Sequence, residues 1–554
     1  MTEFISRDVV ETTEPAPTLA PEHVADALPI VTYCVTAKQA KAALQDMLDD
    51  ADGRLPGLDI ETTASPAEAA RLKAIELRQA AIKGERKAAK KAKAPASEIT
   101  TIEAEQKLLK AQSKYAKTAA LDPHRARIRT VQVYGGGARV AVIDLFRTGP
   151  GVLRLLDGLD IVAQNAAFEI AHLEHAGVGL GATHCSMQMA RLTLGERSMS
   201  LADAVKAHLG IELDKTEQVG NWAGSDLSRA QIEYAALDAG MAFRLAERIL
   251  PVLGPQTPAY EIQAGCTPAV ARMRSRGVHL DLTAHAQLMD ALRAQRVEVC
   301  AAYKQACLDR GLVDLAAKIP TTPALKRAAL EAILTSNQLL RWQRTRKTGL
   351  LSTARSDLNR AVAYPPIKHL AALSKIDKLL SAFGPTLVSL VSPATGRIHA
   401  SYRVAATASG RASCSYPNIQ QVPRTDDIAG IDFRALFTAA EGRKLVGGDY
   451  AYHEMRAAAA ISGDQRMTEV FVRGEDPHLV TACGMLGKRP EDMTKDERKT
   501  ARQSAKPINF GVIYGCGAGG LSAIAWKNYS TVITEDEANA WLLSFAKTYP
   551  DHAR

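Results

Sequence analysis

The chain has 554 residues, too many for one hydrophobic core, and this length predicts about three or four domains. Hydrophobic residues make up 46% of it, an ordinary fraction for a globular protein, which argues against a disordered or fibrous chain. The 69 Lys and Arg exceed the 60 Asp and Glu, and the resulting net charge of +9 suits a polyanionic partner without requiring one.

The cysteines and the N-terminus predict where the protein works. The eight cysteines are scattered, with no C-x-x-C pair and no Cys/His ligand spacing, so we expect reduced thiols. The first residues lack a basic stretch followed by an apolar core, and no apolar run is long enough to cross a bilayer. These features predict a cytoplasmic protein without membrane contact.

An α/β domain is predicted to begin near Leu28. Residues 1–27 are rich in Pro, Glu, Thr and Ala and are expected to form a flexible tail. The stretch IVTYC then has strand character and is followed by helical periodicity. The next apolar run, GLDIETT, predicts a buried strand that ends with two acids, Asp59 and Glu61.

An alanine-rich, charged block from about Ser65 to Pro123 interrupts this domain. Its Ala, Glu and Lys content favours helix, and Pro95 divides it, so we expect a helical hairpin inserted between two strands. A solvated pair of helices and a nucleic-acid contact are both compatible with its lysines. The following segment, RIRTVQVYGGGARVAVIDL, predicts two strands joined by a glycine turn rather than a phosphate loop.

Acidic residues recur with spacings that suit a metal site. Asp59 and Glu61 alternate with Ile60, so both carboxylates point to one side of the strand, although acids at strand ends are also common without function. The segment AQNAAFEIAHL places Glu169 on a helix, and IEYAALDAGMAFRL places Tyr234 and Asp238 on one helical face. Such carboxylates bind Mg²⁺ or Mn²⁺, and two such ions support phosphodiester hydrolysis.

From about Leu28 to Pro251 the sequence resembles the DEDD exonucleases, specifically the proofreading domain of family A DNA polymerases, which has a ribonuclease H-like fold. The segment SMSLADAVKAHLGIELDKTEQ is similar to that family's helical segment between its second and third motifs. The resemblance implies two metal ions: Asp59, Glu61 and Asp238 would bind the first, Glu169 would hold the second through Asp59 and water, and Tyr234 would orient the attacking water. The family has Asp where this chain has Glu169, and the longer side chain predicts a reduced rate.

Helical periodicity continues from Ile262 to Leu390, and strand and turn residues return around SPATGRIHASYRV. The segment from Ala405 to Arg424 then offers donors for phosphates and minor-groove edges, namely Arg411, Asn418 and Gln420. The stretch KLVGGDYAYHEMR predicts a short strand ending at Asp449 and then a helix that carries Glu454. At that position Asp449 would either hold a metal ion or cap the helix.

The stretch RQSAKPINFGVIYG allows two interpretations. INFGVIY followed by GCGAGG fits a strand that leads into a dinucleotide-binding loop. Alternatively, Arg502, Lys506, Phe510 and Tyr514 recur every four residues and would lie near one face of a helix. In that helix Pro507 predicts a kink or a late start, and GCGAGG becomes a helix stop and turn.

Five stretches, TASGRAS, SYPNIQQVPR, DYAYHEMR, DPH and RQSAKPINFGVIYG, occur in the order found in family A DNA polymerases, the family of bacterial DNA polymerase I and its phage relatives. The resemblance implies a multidomain α/β and α+β chain: an exonuclease domain over 28–255, a thumb over 256–400, and part of the palm and the fingers of a right-hand polymerase over 401–554.

The same resemblance implies roles for single residues. Asp449 and the carbonyl of Tyr450 would bind metal, Glu454 would block the ribose 2′ position, and Arg411 would contact the primer terminus beside Asn418 and Gln420. Arg502 and Lys506 would grip the triphosphate and offset its growing charge, with His478 as a further phosphate contact. Phe510 would stack on the nucleotide, and Tyr514 would lie beside the templating position.

One expected motif is missing, because no H-D-E triplet, which carries the family's second palm aspartate, occurs in the sequence. We therefore expect a chain that is incomplete for polymerisation: either a truncated polymerase, or one part of a split polymerase for which a second chain would supply the missing carboxylate. The expected partners are primer-template DNA and deoxynucleoside triphosphates. A stand-alone 3′-5′ exonuclease is the main alternative, followed by a noncatalytic DNA-binding protein and, with least support, a Rossmann oxidoreductase.

Overall fold

The structure, a computed structural model, describes residues 29–195, 199–213, 220–319, 322–345, 347–407, 409–423, 432–529 and 533–552. The tail expected at 1–27 lies outside the described residues. The chain divides into two compact units, each assembled from two stretches of sequence: Met1–Ile319 with Ala372–Arg443, and Pro320–Ala371 with Lys444–Arg554. All eight cysteines are free thiols.

The first unit begins with an α/β domain. Its strands are β1 (Ile30–Cys34), β2 (Gly57–Ala64), β3 (Ala126–Tyr134), β4 (Arg139–Asp144), β5 (Ile161–Ala163) and β6 (Thr183–Cys185). Its helices are α1 (Ala37–Ala51), α2 (Pro66–Lys91), α3 (Ala96–Ala116), α4 (Leu145–Thr148), α5 (Ala167–His175), α6 (Ser186–Leu194), α7 (Leu201–Leu209) and α8 (Arg229–Ile249).

These strands form one mixed sheet in the order β1-β4-β3-β2-β5-β6. The central strands β2, β3 and β4 run antiparallel, whereas β5 and β6 continue the sheet in parallel from β2. Leu58 and Ile60 of β2 are buried in the core that includes α1, so the alternate residues of this strand face the opposite side. Because α8 packs on that side, the acidic residues of β2 face α8.

The glycine turn predicted between β3 and β4 is present. β3 and β4 pair antiparallel, with Val133 opposite Ala141. A Cβ at Gly135 would lie 1.8 Å from the carbonyl oxygen of Met47, and Gly136 has a φ of +92°. This turn therefore needs glycine to pass under α1 and to reverse the chain.

Helices α2 and α3 form an antiparallel pair inserted between β2 and β3, which we call the helical hairpin (residues 66–117). The helix break that the sequence predicted at Pro95 falls between them. Its seam repeats every seven residues, with Ile75 and Ile82 on α2 packing against Leu109 and Ala116 on α3. A seven-residue repeat is the pattern of a short coiled coil, so the hairpin has its own small core.

The rest of the first unit is built around one long helix and two small sheets. Its elements are α9 (Thr257–Arg276), β7 (Val278–Leu280), α10 (Leu282–Leu308), α11 (Val313–Ala316), the later part of α15 (Pro365–Phe383), α16 (Pro385–Val388), β8 (Arg397–Ile398), β9 (Ser401–Arg403), β10 (Ser413–Ser415) and β11 (Phe437–Thr438). Strand β7 pairs with β8 and with β11, and β9 pairs with β10.

The second unit is helical among its described residues. Its helices are α12 (Pro323–Ile333), α13 (Ser336–Leu340), α14 (Arg355–Leu358), the earlier part of α15, α17 (His453–Ser462), α18 (Gln465–Val472), α19 (Pro477–Leu486), α20 (Lys495–Ile513), α21 (Ala518–Tyr529) and α22 (Glu535–Thr548). Ile508, Leu521 and Phe545 belong to the core between these helices. In the described ranges no helix is both long and apolar enough to cross a membrane.

Two sequence predictions are corrected in this unit. The strand expected at KLVGG is not formed: residues 443–450 are irregular and exposed, and Val446 is 96% exposed because no described strand pairs with this stretch. INFGVI lies inside α20, with Tyr514 as its C-cap, and is not a strand, which removes the dinucleotide-loop interpretation.

Helix α20 also corrects the expectation of a late start at Pro507. The helix begins at Lys495 behind a capping box, in which Thr494 and Glu497 each satisfy the other's backbone N–H, and it continues through Pro507 to Ile513. Beyond it, Gly515 has a φ of +70°, and the N–H groups of Gly515 and Cys516 donate to the carbonyls of Val512 and Gly511. GCGAGG therefore begins as a helix stop, as the helical interpretation predicted.

Candidate metal centre and candidate nucleotide face

Strand β2 and helix α8 bring together three acids, Asp59, Glu61 and Asp238. One carboxylate oxygen from each lies within 4.8 Å of the other two. The close approach depends on Gly57, where a Cβ would lie 2.1 Å from the carbonyl oxygen of Ala239 on α8. The acids that the sequence placed on the strand and on the helix therefore form one acidic cluster.

Burial raises the pKa of each acid in the cluster, and repulsion by neighbouring acids raises it further for Asp59 and Glu61. Burial, followed by the charges of Asp238, Glu61 and Glu169, raises the pKa of Asp59 well above its usual range. Burial and the charge of Asp238 raise the pKa of Glu61 to about 8, and burial raises the pKa of Asp238 to about 6. A bound cation would reverse both effects, because it replaces lost hydration and offsets the repulsion.

Glu169 lines the same cavity from the first turn of α5. Its side chain is buried, and burial raises its pKa well above the usual range. One buried oxygen of Glu169 (Oε2) and one of Asp59 (Oδ2) have no hydrogen-bond partner among the described groups. A buried carboxylate oxygen without a partner is costly, so this pair fits a cavity built to hold metal ions.

Tyr234 lies one helical turn before Asp238 on α8, as predicted. Its hydroxyl hydrogen-bonds the Asp238 carboxylate, and burial together with the nearby acids raises the pKa of Tyr234. The phenol therefore stays protonated at neutral pH. A protonated hydroxyl at the edge of the cluster can orient a water molecule.

The cavity around these acids has a volume of about 460 Å³ and includes two arginines that sequence reasoning missed, Arg191 and Arg403. Arg191, on α6, donates to the backbone carbonyls of Val404 and Ala405, and Arg403 ends β9. No motif could have placed Arg403 here, because more than 150 residues separate it from the cluster acids nearest in sequence. Its guanidinium places a positive charge at a cavity whose other charged groups include four acids.

In the second unit, α20 presents the predicted nucleotide-binding face. Arg502, Lys506 and Phe510 are partly exposed along this helix, and Tyr514 follows at its C-terminal cap. The Tyr514 hydroxyl donates a hydrogen bond of 2.9 Å to Glu454 Oε1 on α17. The two side chains that the resemblance assigned to the sugar and the template base therefore touch each other.

Two of the predicted phosphate contacts are already engaged. Arg502 forms an ion pair with Asp476, the N-cap residue of α19, and donates to the Tyr452 hydroxyl. His478 is only 4% exposed; Asn509 donates to its Nδ1 at 2.7 Å, and its ring lies 5.8 Å from that of Phe510. In this conformation His478 supports Phe510 rather than facing solvent. Asp476 was missed, although it is the first residue of the DPH motif.

The remaining predicted residues are not brought into either cluster. Asp449 and Tyr450 are exposed in the irregular segment, and among the described residues only Asp59, Glu61 and Asp238 bring three potential ligand atoms within 4.8 Å. Arg411, Asn418 and Gln420 are exposed on the segment around β10 in the first unit. There the side chain of Asn418 caps the backbone N–H of Gln420, and Gln420 donates to the carbonyl of Ala412.

Comparisons with known proteins assign both parts of the chain. The model of the 3′-5′ exonuclease family matches residues 106–254, and that of DNA polymerase family A matches 324–553. The exonuclease match includes Glu169, Tyr234 and Asp238, whereas Asp59 and Glu61 precede it. The assignment of these two acids therefore depends on the geometry of the cluster.

Similar proteins include DNA polymerase I of Aquifex aeolicus, 29% identical over 76% of this chain and 72% of that protein. The thermostable DNA polymerase I of Thermus thermophilus is 32% identical over 56% of this chain, which spans about a third (36%) of that relative's length. A similar solved structure is the POL domain of Pol1 from M. smegmatis in complex with DNA primer-template and dNTP, with a TM-score of 0.61. The match covers 77% of this chain and 71% of that chain. The two sequences are 22% identical, so this likeness supports the fold alone.

The mixed sheet with its acidic cluster and the helical second unit define a chain that joins a 3′-5′ exonuclease domain to a polymerase domain. The chain belongs to the family A DNA polymerases of the DNA polymerase I type.

Proposed function

We propose that this chain removes nucleotides from the 3′ end of a DNA primer and binds deoxynucleoside triphosphates for template-directed synthesis on primer-template DNA, in replication or repair. The observation that carries the first part is the convergence of Asp59, Glu61 and Asp238 within 4.8 Å in a cavity that also buries Glu169. The Pol1 structure similar to this chain is a complex with DNA primer-template and dNTP.

The exonuclease domain, over about 28–255, is a ribonuclease H-like fold in this proposal. The sheet order β4-β3-β2-β5-β6, with the first acids on the central strand, supports it. Asp59, Glu61 and Asp238 would hold one Mg²⁺ and Glu169 would help hold a second, with Mn²⁺ as a substitute. When bound, such a pair activates water and stabilises the leaving oxygen of a phosphodiester.

The protein's own groups prepare the substrate for this step. Tyr234 orients water through its hydroxyl, which is fixed by Asp238. Arg191 and Arg403 offset the charge of the phosphate at the cavity. Glu169 in place of the family's aspartate predicts a slower reaction, because one extra methylene displaces a carboxylate in a site that is sensitive to about an ångström.

Nucleotide removal is tested with a 5′-labelled primer annealed to a template. We expect Mg²⁺-dependent shortening by the wild-type chain and its loss in Asp59→Asn, which keeps the size of the side chain and removes its charge. Asp226→Asn, in an exposed ion pair with Arg147 outside the helical hairpin, is the matched control and should shorten the primer at the wild-type rate. Equal rates for Asp59→Asn and the wild type would refute the metal-centre proposal.

For the polymerase domain, we propose that residues 256–400 form the thumb and 401–554 contribute palm and fingers. The proposal is supported by the contact between Glu454 and Tyr514 beside the cationic face of α20. In it, Arg502 and Lys506 bind the triphosphate and Phe510 stacks on the nucleotide. His478 contacts a phosphate after local opening, and Asp449 with the Tyr450 carbonyl binds metal when the exposed segment is paired.

Selection against ribose tests this face. With fluorescent nucleotides and primer-template DNA, we expect the wild-type chain to bind deoxynucleoside triphosphates more tightly than ribonucleoside triphosphates. Glu454→Ala should reduce this preference by opening the space beside the 2′ carbon, whereas Glu469→Ala, on the neighbouring helix α18, should keep it. An unchanged preference in Glu454→Ala would remove Glu454 from this role.

A further inference from the structure

The helical hairpin carries most of the net charge of the protein. Residues 66–117 contain 13 Lys and Arg against 6 Glu and no Asp, a net charge of +7, whereas the whole chain has +9. The two helices span about a tenth of the sequence, so the basic excess is local rather than general. Such a concentration marks a binding surface for a polyanion.

The acids of the hairpin are largely neutralised by its arginines. Arg78 pairs with Glu85 and Glu105, and Arg86 pairs with Glu103, all on exposed side chains. Lys83, Lys87 and Lys91 recur every four residues on α2; they are exposed and form no ion pair with a described side chain. The distal half of α2 thus presents a stripe of lysine charge that no acid of the hairpin offsets.

Small residues separate these lysines. Ala80, Gly84 and Ala88 are exposed on α2 between or before the lysines, and Gly84 has no atom within 4 Å of the position that a Cβ would occupy. A face of small side chains between flexible ammonium groups lets a phosphate backbone approach the helix closely. Lysine, a point charge on a flexible stem, suits contacts with phosphates without base recognition.

The base of the hairpin is fixed beside the acidic cavity. Arg125, fully buried, pairs with Glu68 of α2 at 2.6 Å, and its guanidinium lies 4.0 Å from the centre of the Tyr115 ring of α3. β2, which carries Asp59 and Glu61, leads directly into α2, and Leu121, just after the hairpin, lines the cavity. The 26-residue helix α2 then extends about 39 Å from this base.

From this placement we propose that the helical hairpin is a nucleic-acid-binding arm that holds the sugar-phosphate backbone of DNA whose 3′ end enters the acidic cavity. The inference rests on the proposed exonuclease function for its choice of DNA as the polyanion. The arm binds without sequence preference and keeps the substrate attached while its 3′ end is shortened. An acidic protein is the competing occupant, and the test below separates the two.

The test is the salt dependence of DNA binding by the full chain in EDTA, measured by fluorescence anisotropy with a labelled duplex carrying a 3′ single-stranded tail. Each lost duplex contact reduces the slope of log affinity against log salt by about 0.9. We therefore expect Lys87→Ala/Lys91→Ala to bind more weakly and to lower the slope by about 1.8. Alanine preserves the helix, so the variant should fold.

Lys38→Ala/Lys41→Ala is the matched control, because it removes two exposed lysines of similar spacing from α1. It should leave the slope unchanged, and Lys87→Arg/Lys91→Arg should restore it. An unchanged slope in Lys87→Ala/Lys91→Ala overturns the proposal and leaves an acidic protein as the occupant. An equal decrease of the slope in the control also overturns the proposal, because the effect would then come from net charge and not from the arm.

Failure of this proposal and failure of the exonuclease proposal give different results. Binding in EDTA does not depend on nucleotide removal, so it reports on the arm even if Asp59→Asn still shortens the primer. Conversely, a short single-stranded oligonucleotide that fills only the cavity should be degraded equally by the wild type and by Lys87→Ala/Lys91→Ala. Slower degradation of that oligonucleotide would show damage to the cavity and would also count against the arm.

Discussion

Gly57 lets β2 approach α8 closely enough for Asp59 and Asp238 to share one cluster. Its missing Cβ would lie 2.1 Å from Ala239 O and 2.9 Å from the Cβ of Phe243. Backbone atoms of a packed helix cannot yield as a flexible side chain can, so any larger residue must push the helix and the strand apart. At the residue scale, the metal centre therefore depends on a residue that is not itself a ligand.

Gly57→Ala is predicted to lower the free energy of unfolding by about 1–3 kcal/mol, the usual cost of overpacking, and to slow nucleotide removal by separating the acids. Gly265→Ala is the control, because Gly265 is exposed in the interior of α9 with open space around the position of a Cβ. That change should stabilise the chain by about 0.5–1 kcal/mol and leave the rate unchanged. Denaturant unfolding and the primer assay measure both effects, and a wild-type rate in Gly57→Ala would contradict the argument.

The raised pKa values of the cluster predict a dependence of stability on pH. Glu61 has a pKa of about 8 and Asp238 a pKa of about 6 in the folded protein, against 4.5 and 3.8 ordinarily. The folded state therefore binds protons that the unfolded chain has released. Without metal, the free energy of unfolding should fall as pH rises from about 4 to about 8.

Mg²⁺ should reverse this loss, because it binds the deprotonated acids and stabilises only the folded state. Thermal melts in EDTA and in Mg²⁺ are expected to differ more at pH 8 than at pH 6. Glu61→Gln, which cannot ionise, should show a weaker dependence on pH in EDTA. A shift on adding Mg²⁺ that is equal at both pH values would exclude these acids as the metal ligands.

At the scale of elements, α19 and α20 set the charge of the nucleotide face. Asp476 caps α19 by accepting the N–H groups of His478 and Leu479, and it also neutralises Arg502 of α20. The same carboxylate thus has one structural role and one electrostatic role. These roles can be separated, because asparagine caps helices as well as aspartate does.

Asp476→Asn is predicted to keep the fold and to tighten triphosphate binding several-fold at low salt, because Arg502 loses a competing carboxylate. Asp281→Asn is the comparison for the cap alone, because Asp281 caps α10 and pairs with no arginine among the described residues. Nucleotide titrations at two salt concentrations measure the effect. Weaker binding by Asp476→Asn would mean that the ion pair positions Arg502 rather than competing with the nucleotide.

Most of the helices and strands that carry the sites could be predicted from sequence, because the spacings between their functional residues are local. Two residues along β2 and four along α8 fix which side chains share a face, so the pairing of Asp59 with Glu61 and of Tyr234 with Asp238 followed from period alone. The four-residue recurrence through Arg502 likewise identified α20 correctly, against the apolar run that favoured a strand.

What could not be predicted depends on partners distant in sequence. Whether KLVGG forms a strand depends on a neighbour that pairs with it, and no propensity within the segment reports that neighbour. Arg403 reaches the acidic cavity through the fold, and the burial of His478 follows from Asn509 and Phe510 thirty residues later. Propensity predicted a kink or a late helix start at Pro507; the late start is wrong, because α20 begins at Lys495 and packs into the core on both sides of this residue.

At the scale of the whole molecule, the two proposed activities use different units. Every member of the acidic cluster belongs to the first unit, and Arg502, Lys506, Glu454 and Tyr514 belong to the second. Each unit has its own hydrophobic core. Substitutions in one site are therefore expected to leave the chemistry of the other intact.

Asp59→Asn should lose nucleotide removal and keep the wild-type affinity for deoxynucleoside triphosphates, whereas Arg502→Ala/Lys506→Ala should lose at least tenfold in that affinity and keep nucleotide removal. Each of the two variants serves as the control for the other, with both assays made on the same preparations. Loss of both activities in either variant would contradict the independence of the two units.

The small sheet of the first unit joins three parts of the sequence, since β7 pairs with β8 and β11 across more than a hundred residues. Residues 320–371, which belong to the second unit, lie between these strands in sequence. Cutting the peptide chain once within that stretch would leave two fragments that still share a sheet and a core. A protease nick there would separate them on a denaturing gel, while under native conditions the nicked protein would migrate as one particle.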